Sequence, residues 1–173
     1  MTNKHTAVHN DVIFTRNSAG RVYTHCVIAI ASDIAGAEAY IAAHQDRIEV
    51  LRTAYEAASK TWKEDPSVIE AAATSHPYSS PEYKANQEIK YGGLYKLHQK
   101  ASDAYWGGSR TYRSAETVVA AGKDGLLYED GWAGRPDLAD KKVSKGCPNP
   151  FGRMLALEAT MVESKKRAKK AAA

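Results

Sequence analysis

Apolar or aromatic residues fall at Ile34, Ala37, Ile41, His44, Ile48, Leu51, Tyr55, Ala58 and Trp62, spaced 3, 4, 3, 4 throughout with one polar member, His44. A stripe repeating every 3.5 residues is the seam of a coiled coil or a long helical hairpin. The spacing predicts one helix over residues 33–64, about 48 Å long at 1.5 Å per residue. Asp33 is placed to cap it, because its carboxylate can accept an orphan backbone N–H. Asp65-Pro66 stops or bends it, since proline lacks the N–H and clashes with the preceding turn. The same cap-then-proline pattern starts a short helix at Pro66 and another at Pro81. Tyr91, Leu94, Leu97, His98, Ala101, Ala104 and Tyr105 share one broad face, weakened in the middle by Gly92-Gly93 and ended by Trp106-Gly107-Gly108. This helix is the natural antiparallel partner of the first.

Elsewhere the pattern changes period. Residues 12–16 and 21–30 are rich in β-branched and aromatic types, and Asn17-Ser18-Ala19-Gly20 separates them, which predicts a β-hairpin. Its second strand turns Val22, Thr24, Cys26, Ile28 and Ile30 toward the core. Residues 117–121 and 126–128 are short strand candidates around Gly122-Lys123-Asp124-Gly125, a turn signal. Residues 136–142 suit a short helix. Residues 153–170 read as a last amphipathic helix, with Met154, Leu157, Met161 and Val162 toward the core and a basic end that suits the helix dipole. The fold class expected is α+β: an N-terminal β-hairpin packed with a long antiparallel helical pair and a C-terminal helix, in a single domain over 1–173 with a basic helical tail at 163–173.

Composition narrows the function classes. Alanine supplies about one residue in six, and Ile, Leu, Val and Phe together only about 16%, so the core is thin. The formal charge of +4 belongs to the tail: residues 163–173 hold five basic residues and one acidic one, which leaves 19 of each sign in the rest. The sequence pI near 9.0 therefore does not describe a basic folded face. No apolar run approaches the 18 residues of a membrane span, and Met1 to Asn10 is polar, so neither a membrane helix nor a secretory signal is expected. Two cysteines, Cys26 and Cys147, cannot build a disulfide framework, and two reduced thiols in a cytoplasmic protein are the expectation.

Catalytic signatures are absent from the sequence. There is no glycine-rich phosphate loop, no GxSxG elbow and no zinc-deaminase pattern. His5 and His9, with Asp11 nearby, have a metal-ligand spacing on a helix, but they precede a strand. Pro136-Asp137 with Asp140-Lys141-Lys142 superficially copies a nuclease signature whose acids and lysine belong on adjacent strands. His25 and Cys26 are neighbours in a strand and point to opposite faces. His44 reads as a partly buried histidine that fixes the register of the helix pair, with a pH-sensitive element as the sharper alternative. No catalytic residue, metal or cofactor is expected, and the protein is read as non-enzymatic. A dispersed site using His25, His76 and Arg135 is the third choice.

Binding chemistry is better represented. Tyr105, Trp106, Arg110, Tyr112 and Arg113 form one aromatic and arginine-rich segment, and Trp132 and Arg135 belong to a second. These residue types are enriched at binding hot spots, with closure of the helix pair as the plain structural alternative for Tyr105 and Trp106, and a core anchor for Trp132. Lys165, Lys166, Arg167, Lys169 and Lys170 are the nucleic-acid candidates.

Two stretches, Arg21-Val22-Tyr23-Thr24-His25 and Trp132-Ala133-Gly134-Arg135-Pro136-Asp137-Leu138-Ala139, resemble segments of small uncharacterised accessory proteins of bacteriophages and mobile elements. The likeness covers about a dozen of the 173 residues. It implies a small accessory protein made in the cytoplasm of a bacterial host, where it binds and alters something of that host. The leading expectation is therefore a non-enzymatic protein that docks on a host protein to modulate it. The alternative is a nucleic-acid-binding accessory protein using the basic tail and residues 105–113. A membrane partner is not expected, and unused seam surface leaves room for a homodimer.

Overall fold

The structure is a computed structural model and describes residues 2–163. Along the chain come β1 (Asn3–His9), β2 (Val12–Ser18), β3 (His25–Ala31), α1 (Ile34–Glu64), α2 (Pro66–Ala73), α3 (Pro81–Tyr91), α4 (Gly93–Gly108), α5 (Arg110–Ala121), β4 (Leu126–Ala133), α6 (Pro136–Ser144), β5 (Gly152–Glu158) and β6 (Thr160–Glu163). The fold is α+β. The chain divides into two compact units, one from the N-terminal part up to Glu38 together with the part from Ser114 on, the other Ala39–Arg113.

The first unit holds two three-stranded sheets, ordered β2-β1-β6 and β4-β3-β5. β3 is the central strand of the second sheet and pairs antiparallel with both neighbours. Every residue from Cys26 to Ala31 is 0% exposed. Cys26, Ile28 and Ile30 pack with Tyr23, Trp132 and, from the first sheet, Ala7 and Phe14. Val27 and Ala29 pack on the other side with Ala133, Met154 and Ala139 of α6. A strand covered on both faces needs a continuous apolar run rather than alternation, and 26–31 (CVIAIA) is one.

An N-terminal β-hairpin is present, but its strands are β1 and β2, from Asn3↔Ser18 to His9↔Val12. Residues 12–16 do not pair with 21–30. Asn10 takes a positive φ of 51° in the two-residue connection, and such tight turns fix a hairpin's register. The expected helix over 153–170 is also corrected: 152–158 and 160–163 are strands. Met154, Leu157 and Met161 fit a helical face, yet Leu155 and Leu157 fit a strand equally well. The strand state is stabilised because β5 pairs with β3 along its whole length, from His25↔Glu158 to Ala31↔Gly152. The rest of the expected helix, from 164 on, lies outside the described residues. Residues 117–121 belong to α5 rather than to a strand, because Ala115 and Val118, three apart, are both fully buried. Burial of a helical face overrides the β-propensity of Thr117, Val118 and Val119.

The second unit is built on the predicted seam from Ile41 on. α1 is unbroken, and each of its nine seam positions is buried or half-buried while most positions between them are exposed. Asp33 accepts from the Gly36 N–H at 2.9 Å, the capping bond expected of it. Trp62 stacks on His98 with ring centroids 4.9 Å apart, and Tyr55 stacks on Tyr105 at 5.5 Å. The Trp62 indole N–H donates to the Lys90 carbonyl at 3.0 Å. These contacts run in opposite senses along the two stretches, so α3–α4 lies antiparallel to α1. Gly92 separates α3 from α4; a Cβ there would collide with the Glu88 carbonyl oxygen. His44 does not bridge the helix pair through a hydrogen bond. Its Nδ1–H donates to the Tyr40 carbonyl of its own helix at 3.0 Å, and its ring stacks on Tyr40 at 4.0 Å.

The α2 cap yields a pH prediction. The Asp65 carboxylate accepts from the Ser67 hydroxyl and from the Ser67 and Val68 N–H groups. The Ser67 hydroxyl contributes most to holding its pKa below the ordinary 3.8. A depressed carboxyl pKa stabilises the fold above the unfolded value and loses that contribution as pH falls through the folded value. Asp65→Asn should therefore melt below the parent at pH 7. As pH falls below the ordinary 3.8 and on through the lower folded value, the two should converge. Melting curves at pH 7 and along an acid series check this, and a gap that does not narrow with falling pH would contradict the assignment.

Candidate binding site

The first unit carries a cavity of about 500 Å³ beside the β3–β4 pair and α6. Trp132, Ala133, Tyr23 and Leu138 supply its apolar wall. Arg21, Arg135, Lys141, Lys142 and Lys145 also line it, and no carboxylate does among the described residues. A concave, partly apolar site with a few convergent polar groups is the usual form of a ligand pocket.

The sequence builds this site from two segments that β pairing brings together. β3 pairs with β4 through His25↔Ala133 and Cys26↔Trp132. The Thr24 N–H extends the pairing by donating to the Ala133 carbonyl at 2.9 Å. Arg21 and Tyr23 thus stand beside Trp132, Gly134 and Arg135. Asp130 is an extra residue in β4, since Val27 pairs with Gly131 and Ile28 with Glu129. Gly131 accommodates this bulge with a φ of 123°, which a side chain would strain. The bulge presents Asp130 to α6, where its carbonyl and carboxylate accept from Lys142 Nζ at 3.0 and 2.8 Å. α6 starts with Pro136 at its first turn and carries Lys141 and Lys142 in its last, where cations suit the negative end of the helix dipole.

The electrostatics are uneven. Lys142 is paired with Asp130, and Arg135 with Asp137 at 3.0 Å. Lys141 and Lys145 have no ion-pair partner among the described residues and are exposed. The Arg21 side chain beside it does most to hold the Tyr23 pKa below the ordinary phenol value, and the charge of Arg16, whose guanidinium lies 5.0 Å over the ring, acts in the same direction. Tyr23 also meets Trp132 edge-on at 6.2 Å. Trp132 is 8% exposed and donates from Nε1–H to Glu129 Oε1 at 2.7 Å. Trp132 is thus a core anchor and part of the cavity wall at once.

Trp132 and Arg135 are therefore the sequence-predicted site residues that the structure brings into one pocket. Tyr105, Trp106, Arg110, Tyr112 and Arg113 belong to the second unit, at the junction of α4 and α5. There Trp106 is 44% exposed and lies under the Arg113 guanidinium at 4.4 Å, while Tyr105 is spent on Tyr55. Lys165, Lys166, Arg167, Lys169 and Lys170 lie outside the described residues. Sequence reasoning missed Lys145 and used Lys141 and Lys142 only as a nuclease look-alike. The signal that would have found them is their spacing of one and three residues, which places lysines along one stretch of helix beside the Trp132–Arg135 turn.

His5 is fully buried, edge-on to Tyr23 at 5.3 Å, and His9 Nε2 lies 2.8 Å from the Asp124 carbonyl. No group of three or more His, Cys, Asp or Glu is placed to hold a metal among the described residues. Burial, with the nearby Glu129 charge, pushes the Cys26 thiol up to about 12, which makes it a core group rather than a nucleophile. His25 Nδ1 lies 2.9 Å from the Thr24 hydroxyl. Asp137, Asp140, Lys141 and Lys142 all lie on α6, not on adjacent strands. Cys26 and Cys147 are both free. No helix among the described residues is long and apolar enough to cross a membrane. Comparison with protein-family models, curated proteins and solved structures gives no match to the chain.

Proposed function

We propose that the protein is a non-enzymatic binding protein that docks on a host protein by seating an acidic segment of that partner in the cationic cavity. The observation that carries this reading is the lining itself: five cationic side chains and no carboxylate around an apolar wall. Charge complementarity of this kind sets partner choice and association rate more than raw affinity. Trp132 and Leu138 supply the apolar contact that keeps such a site from being a purely electrostatic patch. The resemblance of 21–25 and 132–139 to segments of phage and mobile-element accessory proteins supports a bacterial host as the setting, because both stretches build this cavity.

Affinity capture from bacterial lysate with the full chain as bait tests the reading. Nuclease treatment should leave the captured protein in place. Lys141→Glu/Lys145→Glu should reduce capture about a hundredfold, since reversing two charges adds repulsion as well as removing attraction. Both side chains are exposed, so the fold should persist. Trp106→Ala in the second unit should leave capture unchanged. Loss of the captured material on nuclease treatment would favour nucleic-acid binding instead, and insensitivity to the double reversal would remove the cavity from the account.

A further inference from the structure

We infer that the anionic group this cavity accepts is a phosphate monoester dianion on a flat apolar stem. This rests on the docking reading above and names the chemistry of its ligand. The charge balance points there first. Arg21, Arg135, Lys141, Lys142 and Lys145 bring five positive charges, and Asp130 and Asp137 offset two of them through their ion pairs. A single carboxylate leaves most of the remaining charge unanswered. A phosphate monoester brings nearly two charges at neutral pH and three strong acceptor oxygens.

The donor types agree. Lysines bind phosphate as compact point charges with three rotatable donors, and arginine supplies a fork that matches phosphate oxygens. Lys141 and Lys145 have no competing ion pair among the described residues. Tyr23, which lines the same wall beside Arg21, adds a hydroxyl to it. The volume agrees too: about 500 Å³ exceeds what one phosphate fills, and Trp132, Leu138 and Ala133 give the surplus an apolar boundary. Such a group is carried by a phosphorylated aromatic side chain of the partner or by a free phosphorylated aromatic metabolite.

The test is a calorimetric titration of the full chain with phenyl phosphate, benzoate, inorganic phosphate and a glutamate-rich peptide at pH 7.5 and pH 5. Phenyl phosphate should bind about tenfold more tightly than either benzoate or inorganic phosphate at pH 7.5, because only it combines dianion and stem. Its advantage over benzoate should shrink at pH 5, where a monoester with second pKa near 6 is mostly a monoanion. Any change in the protein between the two pH values acts on both ligands, so the change in their ratio reports the phosphate itself. Lys141→Gln/Lys145→Gln should weaken phenyl phosphate about tenfold. Equal affinity for benzoate and phenyl phosphate would overturn the inference. Binding of the glutamate-rich peptide without phenyl phosphate would overturn it too, while leaving the acidic-docking reading intact. Titration with a phosphotyrosine tripeptide separates the sources: tighter binding than phenyl phosphate assigns the group to a partner side chain, and weaker binding assigns it to a free metabolite.

Discussion

Ile28→Ala should lower the unfolding free energy by about 4 kcal/mol, within the usual range for truncating a buried isoleucine. Ile28 is 0% exposed in the central strand of the β4-β3-β5 sheet and packs in the cluster that holds Phe14, Cys26 and Trp132. No neighbouring segment can collapse into the space without breaking pairs on both sides, since β3 is bonded to β4 and β5 at once. Domains of ordinary stability hold only about 5–15 kcal/mol in reserve, so the variant should melt roughly 8–16 °C below the parent. Val50→Ala, at a site 68% exposed on α1, should change stability by less than about 0.5 kcal/mol. Urea unfolding followed by near-ultraviolet circular dichroism checks both. A loss under about 1 kcal/mol at Ile28 would mean that β3 is not the covered central strand described.

Trp62→Ala should cost about 3 kcal/mol, at the lower end for an aromatic truncation because the side chain is half-buried. Three contacts go with it: the stack on His98, the tilted contact with Tyr95 at 5.1 Å and the bond from the indole N–H to the Lys90 carbonyl. Trp62→Phe separates them. It keeps a ring against His98 and Tyr95 and loses only the hydrogen bond and some area, so its cost should fall to about 1–1.5 kcal/mol. Equal losses for the two variants would place the stability in the hydrogen bond alone and contradict the stacked arrangement. Measured in the same urea series, the pair reports on the helical unit while Ile28→Ala reports on the sheets.

Much of this scaffold was legible from residue order, and the reasons are local. The seam from Ile34 to Trp62 survives because a 31-residue helix with a good cap and one covered face leaves no competing state. Asp65 and Ser80 were readable because caps act through bonds to N–H groups two or three residues away. The sheets were not so readable, because their partners are far apart in sequence. β1 (NKHTAVH) shows no apolar alternation; it is placed by Phe14, across from Ala7, and by β6, more than 150 residues later. Residues 152–158 satisfy two periods at once, and only the free edge of β3 decides between them. The pocket followed the same rule. Trp132 and Arg135 stood out by residue type, but Lys141 and Lys145 gain meaning only from α6 lying beside β4, and Tyr23 only from its place next to Trp132.

The three tryptophans offer the most direct check on the cationic cavity as the docking site, because Trp132 lines it while Trp62 and Trp106 lie in the other unit. In a ¹H–¹⁵N spectrum each indole N–H gives its own resonance. Titration with a glutamate-rich peptide at low salt should shift the Trp132 indole signal and leave those of Trp62 and Trp106 in place, with the shift suppressed as salt screens the charges. A Trp132 signal that stays put while the Trp106 signal moves would transfer the docking site to the α4–α5 junction and contradict the account.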